Sequence, residues 1–324
     1  MEAIAQLQSL FTPYLQEKNW IKSPVNLYEP VDYILGLGGK RMRPILTLLS
    51  TEVFDGNVNE ALPAALAIEV FHNFSLVHDD IMDDAPLRRG KVTVHEKWNL
   101  NTGILSGDAM LILAYQVFEK YEPQQFKSLI QLFTKTALEV CEGQQWDVDF
   151  ETRNDVSEPE YLNMIAYKTA VLVAAAMKMG AIVAKTTEQQ AQLMYDFGLN
   201  LGIAFQIQDD YLDAFGNPET FGKQVGGDII ENKKTFLYLK AMELAPSKEK
   251  ELLEALFSSK PENPFNKIET VKDIFKTSGA AKATQEAVKF YTQQAFNKIN
   301  QLDISIQKKS FLIGFGNYLM GRTV

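Results

Sequence analysis

The chain has 324 residues, of which 46% are hydrophobic and 23% charged, a globular balance with enough apolar material for a large core. Its single cysteine, Cys141, excludes an intramolecular disulfide and a zinc–cysteine cluster. The formal net charge of −9 argues against a nucleic-acid binder that works by neutralising phosphates, so a phosphorylated ligand would have to be met by local basic clusters or by metal ions.

Apolar residues recur at helical spacing along almost the whole chain, as in LPAALAIEVFHNFSLVHDDI and YLNMIAYKTAVLVAAAMKMGAIVA, and strand-like alternation is nearly absent. The pattern predicts an all-α fold of about a dozen helices, the central ones long and apolar. No low-complexity tract or long Gly/Ser linker divides the chain, so a single domain spanning 1–324 is expected. The opening MEAIAQLQSLF does not read as a signal peptide. The most apolar stretch, Ala170 to Ala184, is interrupted by Lys178 and is too short to span a bilayer. The expectation is a cytoplasmic protein that is not membrane-embedded.

In chain order, the first chemically loaded segment is GGKRMRP, Gly38 to Pro44. Its two glycines allow close backbone approach, and Lys40, Arg41 and Arg43 open a helix, whose N-terminus favours an anion. The next helix is apolar through VFHNFSLV and ends on Asp79, Asp80, Asp83 and Asp84. Asp79 and Asp83 stand at i and i+4 on one face. Carboxylates at the end of a buried helix repel one another and lose hydration, so a cation must offset them. Hard oxygen ligands with no accompanying Cys/His pattern suit Mg²⁺. His72 lies two turns before Asp79 on roughly the same face, which makes a ligand role geometrically plausible. His78 and His95 have no such support and read as structural. The following LRRG offers Arg88 and Arg89, whose forks can grip phosphate oxygens.

Ser157 and Glu160 form a capping-box pattern ahead of the most apolar helix. Lys168 and Thr169 lie inside that helix, where a lysine is costly unless it is paired or snorkels to the surface; both readings are open. A second DDxxD follows the apolar run LGIAFQIQ, at Asp209, Asp210 and Asp213. Gln206, three residues earlier, is either a satisfied core amide or a dipole facing a site. One DDxxD alone reads as a solvated helix end. Two copies, each closing an apolar helix, point to metal ions held between helices of a bundle. Then FGKQVGGDIIENKKT places Lys223 in a glycine-rich loop, with Lys233 and Lys234 beyond it. Lys234 taken alone reads as solvated surface charge.

The segments GGKRMRP, HNFSLVHDDIMDDAPLRRG, YKTA, FQIQDDYLD and GKQVGGDIIENKKT, in this order from Gly38 to Thr235, resemble the trans-type prenyl diphosphate synthases, or polyprenyl synthetases. The resemblance implies an isoprenoid-synthase bundle with a deep central cavity, normally a homodimer. It implies a Mg²⁺-dependent head-to-tail condensation of isopentenyl diphosphate with dimethylallyl, geranyl or farnesyl diphosphate, with about three Mg²⁺ ions in the loaded site. By position, Asp79, Asp80 and Asp83 would bind Mg²⁺ and the allylic diphosphate, and Asp209, Asp210 and Asp213 would form the second metal motif, with Asp209 its foremost ligand. Lys40, Arg43, His72 and Arg89 would hold isopentenyl diphosphate. Arg88, Lys168, Lys223 and Lys233 would contact the allylic diphosphate, and Thr169 and Gln206 would stabilise the carbocation.

The resemblance also implies that bulk just before the first motif, at Phe74 and Ser75, forms the floor of the product pocket. An aromatic at the fifth position with a small residue at the fourth resembles short-chain synthases of either the farnesyl or the geranylgeranyl type, and the absence of an insertion in DDIMD leans towards geranylgeranyl. Helical geometry alone puts Ser75 nearer than Phe74 to the Asp79 face, and Phe71 or Tyr115 could equally close the pocket. A class I terpene cyclase is the nearest rival, disfavoured by the second DDxxD. A non-catalytic partner subunit is disfavoured by the two intact motifs.

Overall fold

The computed structural model describes residues 2–217 and 225–321, so Lys223 lies outside the described residues. Among these, the chain is all-α apart from one two-stranded hairpin. There are more helices than the dozen expected, partly because single-turn helices such as Val94–Lys97 and Gly227–Ile230 are too short to show a hydrophobic period. The chain divides into two compact units, Met1–Thr134 with Ala175–Met194, and Lys135–Ala174 with Tyr195–Val324.

The first unit holds α1 (Glu2–Gln16), α2 (Val25–Gly36), α3 (Met42–Val53), α4 (Val58–Met82), α5 (Val94–Lys97) and α6 (Leu100–Val117). It also holds the first part of α7 (Pro123–Thr152) and the last part of α9 (Val171–Val183). Asn57 caps α4 by accepting from the Asn59 amide at 3.1 Å. Every residue from 64 to 71 on α4 is buried, so the helix turns no face to water there and is interior. It packs against α3 and α6. Each fully buried large side chain there, Ile68 and Phe71 among them, contributes roughly 1.5–3 kcal/mol of transfer free energy. Gly180 lets α9 touch α3, since a Cβ there would stand 2.1 Å from the Thr47 carbonyl oxygen. The Ser50 hydroxyl donates to the Met177 carbonyl at 2.6 Å across the same contact.

The second unit holds the rest of α7, α8 (Glu158–Ile165), a π-helical turn (Ala166–Ala170), the start of α9 and most of α10 (Glu188–Phe215). It continues with α11 (Gly227–Ile230), α12 (Phe236–Leu244), α13 (Ser247–Leu256), α14 (Phe265–Thr277), α15 (Ala280–Asn300) and α16 (Ile306–Met320). The capping box forms as read: the Glu160 carboxylate accepts from the Ser157 amide at 2.9 Å, and the Glu160 amide donates back to the Ser157 hydroxyl. From Glu158 to Val183 the helix runs unbroken for 26 residues, longer than the apolar stretch visible in sequence. The length argument against a membrane span therefore fails. What marks this rod as a core helix is that 61% of its most apolar window is buried inside the protein.

Helix α10 approaches the rod through small residues. A Cβ on Gly198 would lie 2.8 Å from the Ala174 Cα, and one on Gly202 would lie 2.8 Å from the Ala170 Cα. The next two positions of this i, i+4 row are Gln206 and Asp210, so the close approach delivers both side chains to the face of the rod.

Candidate active site

In the first unit, α4 ends in its carboxylates. Asp79 is half-buried, Asp83 is the exposed C-cap, and Asp80 is only 1% exposed. Burial lifts the Asp80 pKa, and the Arg88 guanidinium pulls it part of the way back. The Arg88 Nε donates to Asp80 Oδ1 at 2.8 Å, while Asp80 Oδ2 is buried with no hydrogen-bond partner. An orphaned carboxylate oxygen beside Asp79 and Asp83, one turn apart, is a donor set that fits a hard divalent cation.

Arg88 and Arg89 are aimed by the hairpin, β1 (Leu87–Arg88) against β2 (Lys91–Val92), with Arg88 opposite Lys91. The two-residue loop Arg89–Gly90 has φ of 52° and 73°, the left-handed pair that a type I′ turn requires. Arg88 is thereby directed at Asp80, and Arg89 donates to the Gly38 carbonyl. Gly39 sits at φ +120°, and a Cβ on it would stand 3.0 Å from the Arg89 Cζ. Its conformation therefore favours glycine, and a Cβ would also press on the Arg89 guanidinium.

The other basic residues of GGKRMRP separate into different roles. Arg41, itself at φ 48°, donates to the buried Glu69 carboxylate and to the Leu35 carbonyl, and Asn73 Nδ2 donates to the same carboxylate at 2.7 Å. It is a structural cation. Lys40 is exposed. Arg43 Nη1 lies 3.0 Å from His72 Nε2. Burial foremost, then the charges of Arg43, Arg89, Arg88 and Arg41, hold the His72 pKa well below its ordinary value. Because a guanidinium can only donate, His72 Nε2 accepts, which leaves the proton of the neutral ring on Nδ1. Arg43 Nε is buried without a hydrogen-bond partner. Clustered arginines around a neutral histidine form a cradle for a polyoxyanion.

Phe74 and Ser75 do different things. The Ser75 hydroxyl folds back to donate to the His72 carbonyl at 2.8 Å. Phe74 is buried, edge-on to His78 at 4.9 Å and tilted against Phe71 at 5.4 Å. Phe71 meets Phe133 at 5.2 Å, and Phe133 meets Tyr115 at 4.8 Å. His78 fits only because Gly107 lacks a Cβ, which would lie 2.2 Å from its Nε2.

In the second unit a pocket is lined by Asp147, Tyr161, Lys168, Thr169, Gln206, Asp209, Asp210, Asp213, Asp228, Lys233 and Lys234, with further residues. Lys168 and Thr169 sit in the π turn, and their side chains meet different partners. Lys168 pairs with Asp147 of α7, which decides the paired-or-snorkelling question in favour of pairing. The Thr169 hydroxyl donates to Gln206 Oε1 at 3.1 Å, and Gln206 Nε2 donates to Asp210 Oδ1 at 3.0 Å. The buried Tyr161 hydroxyl donates to Asp210 Oδ2. Both Asp210 oxygens are thus engaged by protein donors. Burial, then the nearby Asp228 charge, push its carboxyl far above the usual range. Asp213 Oδ2 accepts from the Asp228 amide at 3.0 Å.

Lys234 is not surface charge, as sequence suggested. It is buried and donates from Nζ to the Glu151 carbonyl at 2.8 Å, so its packing and its pocket position outweigh the usual preference of lysine for solvent. Sequence reasoning passed over Tyr161, Asp147 and Asp228. Asp228 stands inside the quoted GGD segment, and its signal was a carboxylate within an otherwise basic run. Tyr161 and Asp147 carried no local signal, because their partners are distant in sequence.

The sequence profile of the family described as Polyprenyl synthetase matches residues 24–276. A short chain isoprenyl diphosphate synthase of Methanothermobacter thermautotrophicus is 38% identical over 284 residues, covering 87% of this chain and 86% of its own. A geranylgeranyl diphosphate synthase of Sulfolobus acidocaldarius is 38% identical over 290 residues, covering 88% of this chain and 87% of its own. A crystal structure of a geranylgeranyl pyrophosphate synthase superposes with a TM-score of 0.95 at 55% identity over 99% of both chains.

Proposed function

Since the chain belongs to the polyprenyl synthetase family, we propose that it condenses isopentenyl diphosphate head-to-tail with an allylic diphosphate to give a short all-trans prenyl diphosphate, geranylgeranyl before farnesyl. The observation that carries this reading is the pairing of each DDxxD with its own set of cations, in a chain that is acidic overall.

Bound Mg²⁺, about three ions in the loaded site, supplies Lewis-acid stabilisation of the departing pyrophosphate. Asp79, Asp83 and the free oxygen of Asp80 hold metal at the first motif; Asp209 and Asp213 do so at the second. Asp210 keeps its place in both the motif and the hydrogen-bond chain, where it orients Gln206 for the site. Arg88, Lys168, Lys233 and, outside the described residues, Lys223 bind the allylic diphosphate. Lys40, Arg43, His72 and Arg89 bind that of isopentenyl diphosphate. The Thr169 hydroxyl donates its one hydrogen bond to Gln206 Oε1, so its oxygen lone pairs are left for the allylic cation. The chain 1–324 is read as a single catalytic domain, since no linker-like tract divides it. Phe74, within its cluster of rings, sets the chain length.

The working form is a homodimer. Supporting this, α6 leaves Leu105 and Ile112 58% and 66% exposed, seven residues apart on one face. A cytoplasmic setting fits the lone free thiol of Cys141.

The test is incubation of the purified protein with isopentenyl diphosphate, Mg²⁺ and each allylic starter, followed by sizing of the dephosphorylated alcohols. A twenty-carbon alcohol is expected. Hydrocarbon made from farnesyl diphosphate alone would point to a cyclase and overturn the reading.

A further inference from the structure

Immediately after the first DDxxD, a third group of ligand-type side chains converges at the base of the β1–β2 hairpin. Asp84, immediately after α4, and His95 and Glu96, on α5, bring a ligand atom each to within 4.8 Å of one another. Carboxylates alone at a surface carry no message, but His95 differs. Its side chain is only 8% exposed, and neither ring nitrogen has a hydrogen-bond partner. A neutral imidazole carries one N–H and one ring-nitrogen lone pair, and burying both unmet is costly. Its Nε2 faces the Glu96 carboxylate at 3.8 Å, too long for a hydrogen bond and open enough for a third party between them.

We propose that Asp84, His95 and Glu96 form a binding site for a first-row transition-metal ion of the Zn²⁺, Mn²⁺ or Co²⁺ class, distinct from the Mg²⁺ of the aspartate motifs. One imidazole with two carboxylates is a borderline donor set, and nitrogen ligation selects these ions over Mg²⁺. Metal–ligand bonds of about 2.0–2.2 Å require the three donor atoms to draw closer by about an ångström, which the exposed Asp84 and Glu96 side chains can supply. The left-handed φ of 48° at Asp84 turns the chain out of α4 towards the hairpin. The base of that hairpin is already tied by the Thr93 hydroxyl, which donates to the Ala85 carbonyl at 2.8 Å. An ion at this place staples the two ends of the segment that aims Arg88 and Arg89.

Co²⁺ is the probe, titrated into the full-length protein in large excess of Mg²⁺ and without any diphosphate, with visible absorption and equilibrium dialysis as readouts. One equivalent should bind with the absorption bands of a nitrogen-ligated ion. It should persist in an Asp79→Asn/Asp209→Asn double variant, whose motifs are weakened. His95→Gln should weaken it at least tenfold. Glu96→Gln and Asp84→Asn, both at exposed positions that cannot unfold the chain, should each weaken it as well. Wild-type protein without the bands, or binding unchanged in all three variants, overturns the site. Because no prenyl transfer is read, the outcome is independent of the enzymatic assignment.

Discussion

At Gly39 two demands meet on one atom. The backbone stands at φ +120°, which disfavours any Cβ, and the Arg89 guanidinium occupies the space a methyl would take, 3.0 Å away. Gly39→Ala therefore displaces Arg89 from the cradle while leaving the second unit untouched. The expected result is a KM for isopentenyl diphosphate raised about tenfold, equivalent to roughly 1.4 kcal/mol, with the allylic KM little changed. Steady-state kinetics with each substrate varied in turn will decide, and equal rises in both constants would oppose this role. His72 gives a prediction of a different kind. Its folded pKa is depressed by burial and by four arginines, so below about pH 6.5 the unfolded chain takes up a proton that the folded one refuses. Stability from this residue is thus present above about pH 6.5 and is lost on acidification, by up to about 1.4 kcal/mol per pH unit. Urea unfolding at neutral and mildly acidic pH should show that slope reduced in His72→Gln, and an unchanged slope would mean that His72 is protonated in the folded protein.

The π turn is the element on which the second unit's pocket depends, and its neighbour α7 holds it in place. A Cβ on Gly143 would lie 2.2 Å from the Lys168 backbone nitrogen, and backbone cannot step aside as a side-chain tip can. Gly143→Ala should cost about 1–3 kcal/mol in denaturant unfolding and lower kcat with it, because both Lys168 and Thr169 ride on the displaced turn. A variant of full stability and turnover would remove this account. The ring cluster is a second such element. Phe74 leans on His78 and Phe71, so Phe74→Ala opens a cavity that Phe133 and Tyr115 still bound. Product alcohols should therefore lengthen by one or a few isoprene steps, without the open-ended growth of a long-chain enzyme, and unaltered length would remove Phe74 from the floor. What sequence could reveal at this scale follows the range of the interactions. The Ser157–Glu160 capping box was legible because it closes within one turn. The π turn was not, since one extra residue in a winding barely disturbs an apolar period. The hairpin, with strands of two residues, shows no alternation at all.

Over the whole chain, helical periodicity and the order of the motifs carried the fold class and the candidate residues, because both are written in local patterns. The division of labour inside each DDxxD was not written there. It depends on Arg88 meeting Asp80 through a hairpin, and on Tyr161 meeting Asp210 across 49 positions, and such pairings exist only once the chain is folded. The same holds for surface against core on α6. Its sequence LNTGILSGDAMLILAYQV is apolar nearly throughout, yet Gly103, Ser106, Gly107, Met110 and Ala114 are buried while Leu105 and Ile112 are exposed. Two large aliphatic side chains seven residues apart stand on the same face, and water is a poor partner for them. If a second copy covers that face, a charge placed in it must enter a desolvated interface at high cost. Leu105→Glu with Ile112→Glu should then shift the protein to monomer in sedimentation equilibrium, while helical circular dichroism stays as in the parent because neither position packs inside the protomer. A parent that sediments as a monomer, or a double variant that keeps the dimer mass, would leave the exposed face of α6 without the second copy assigned to it.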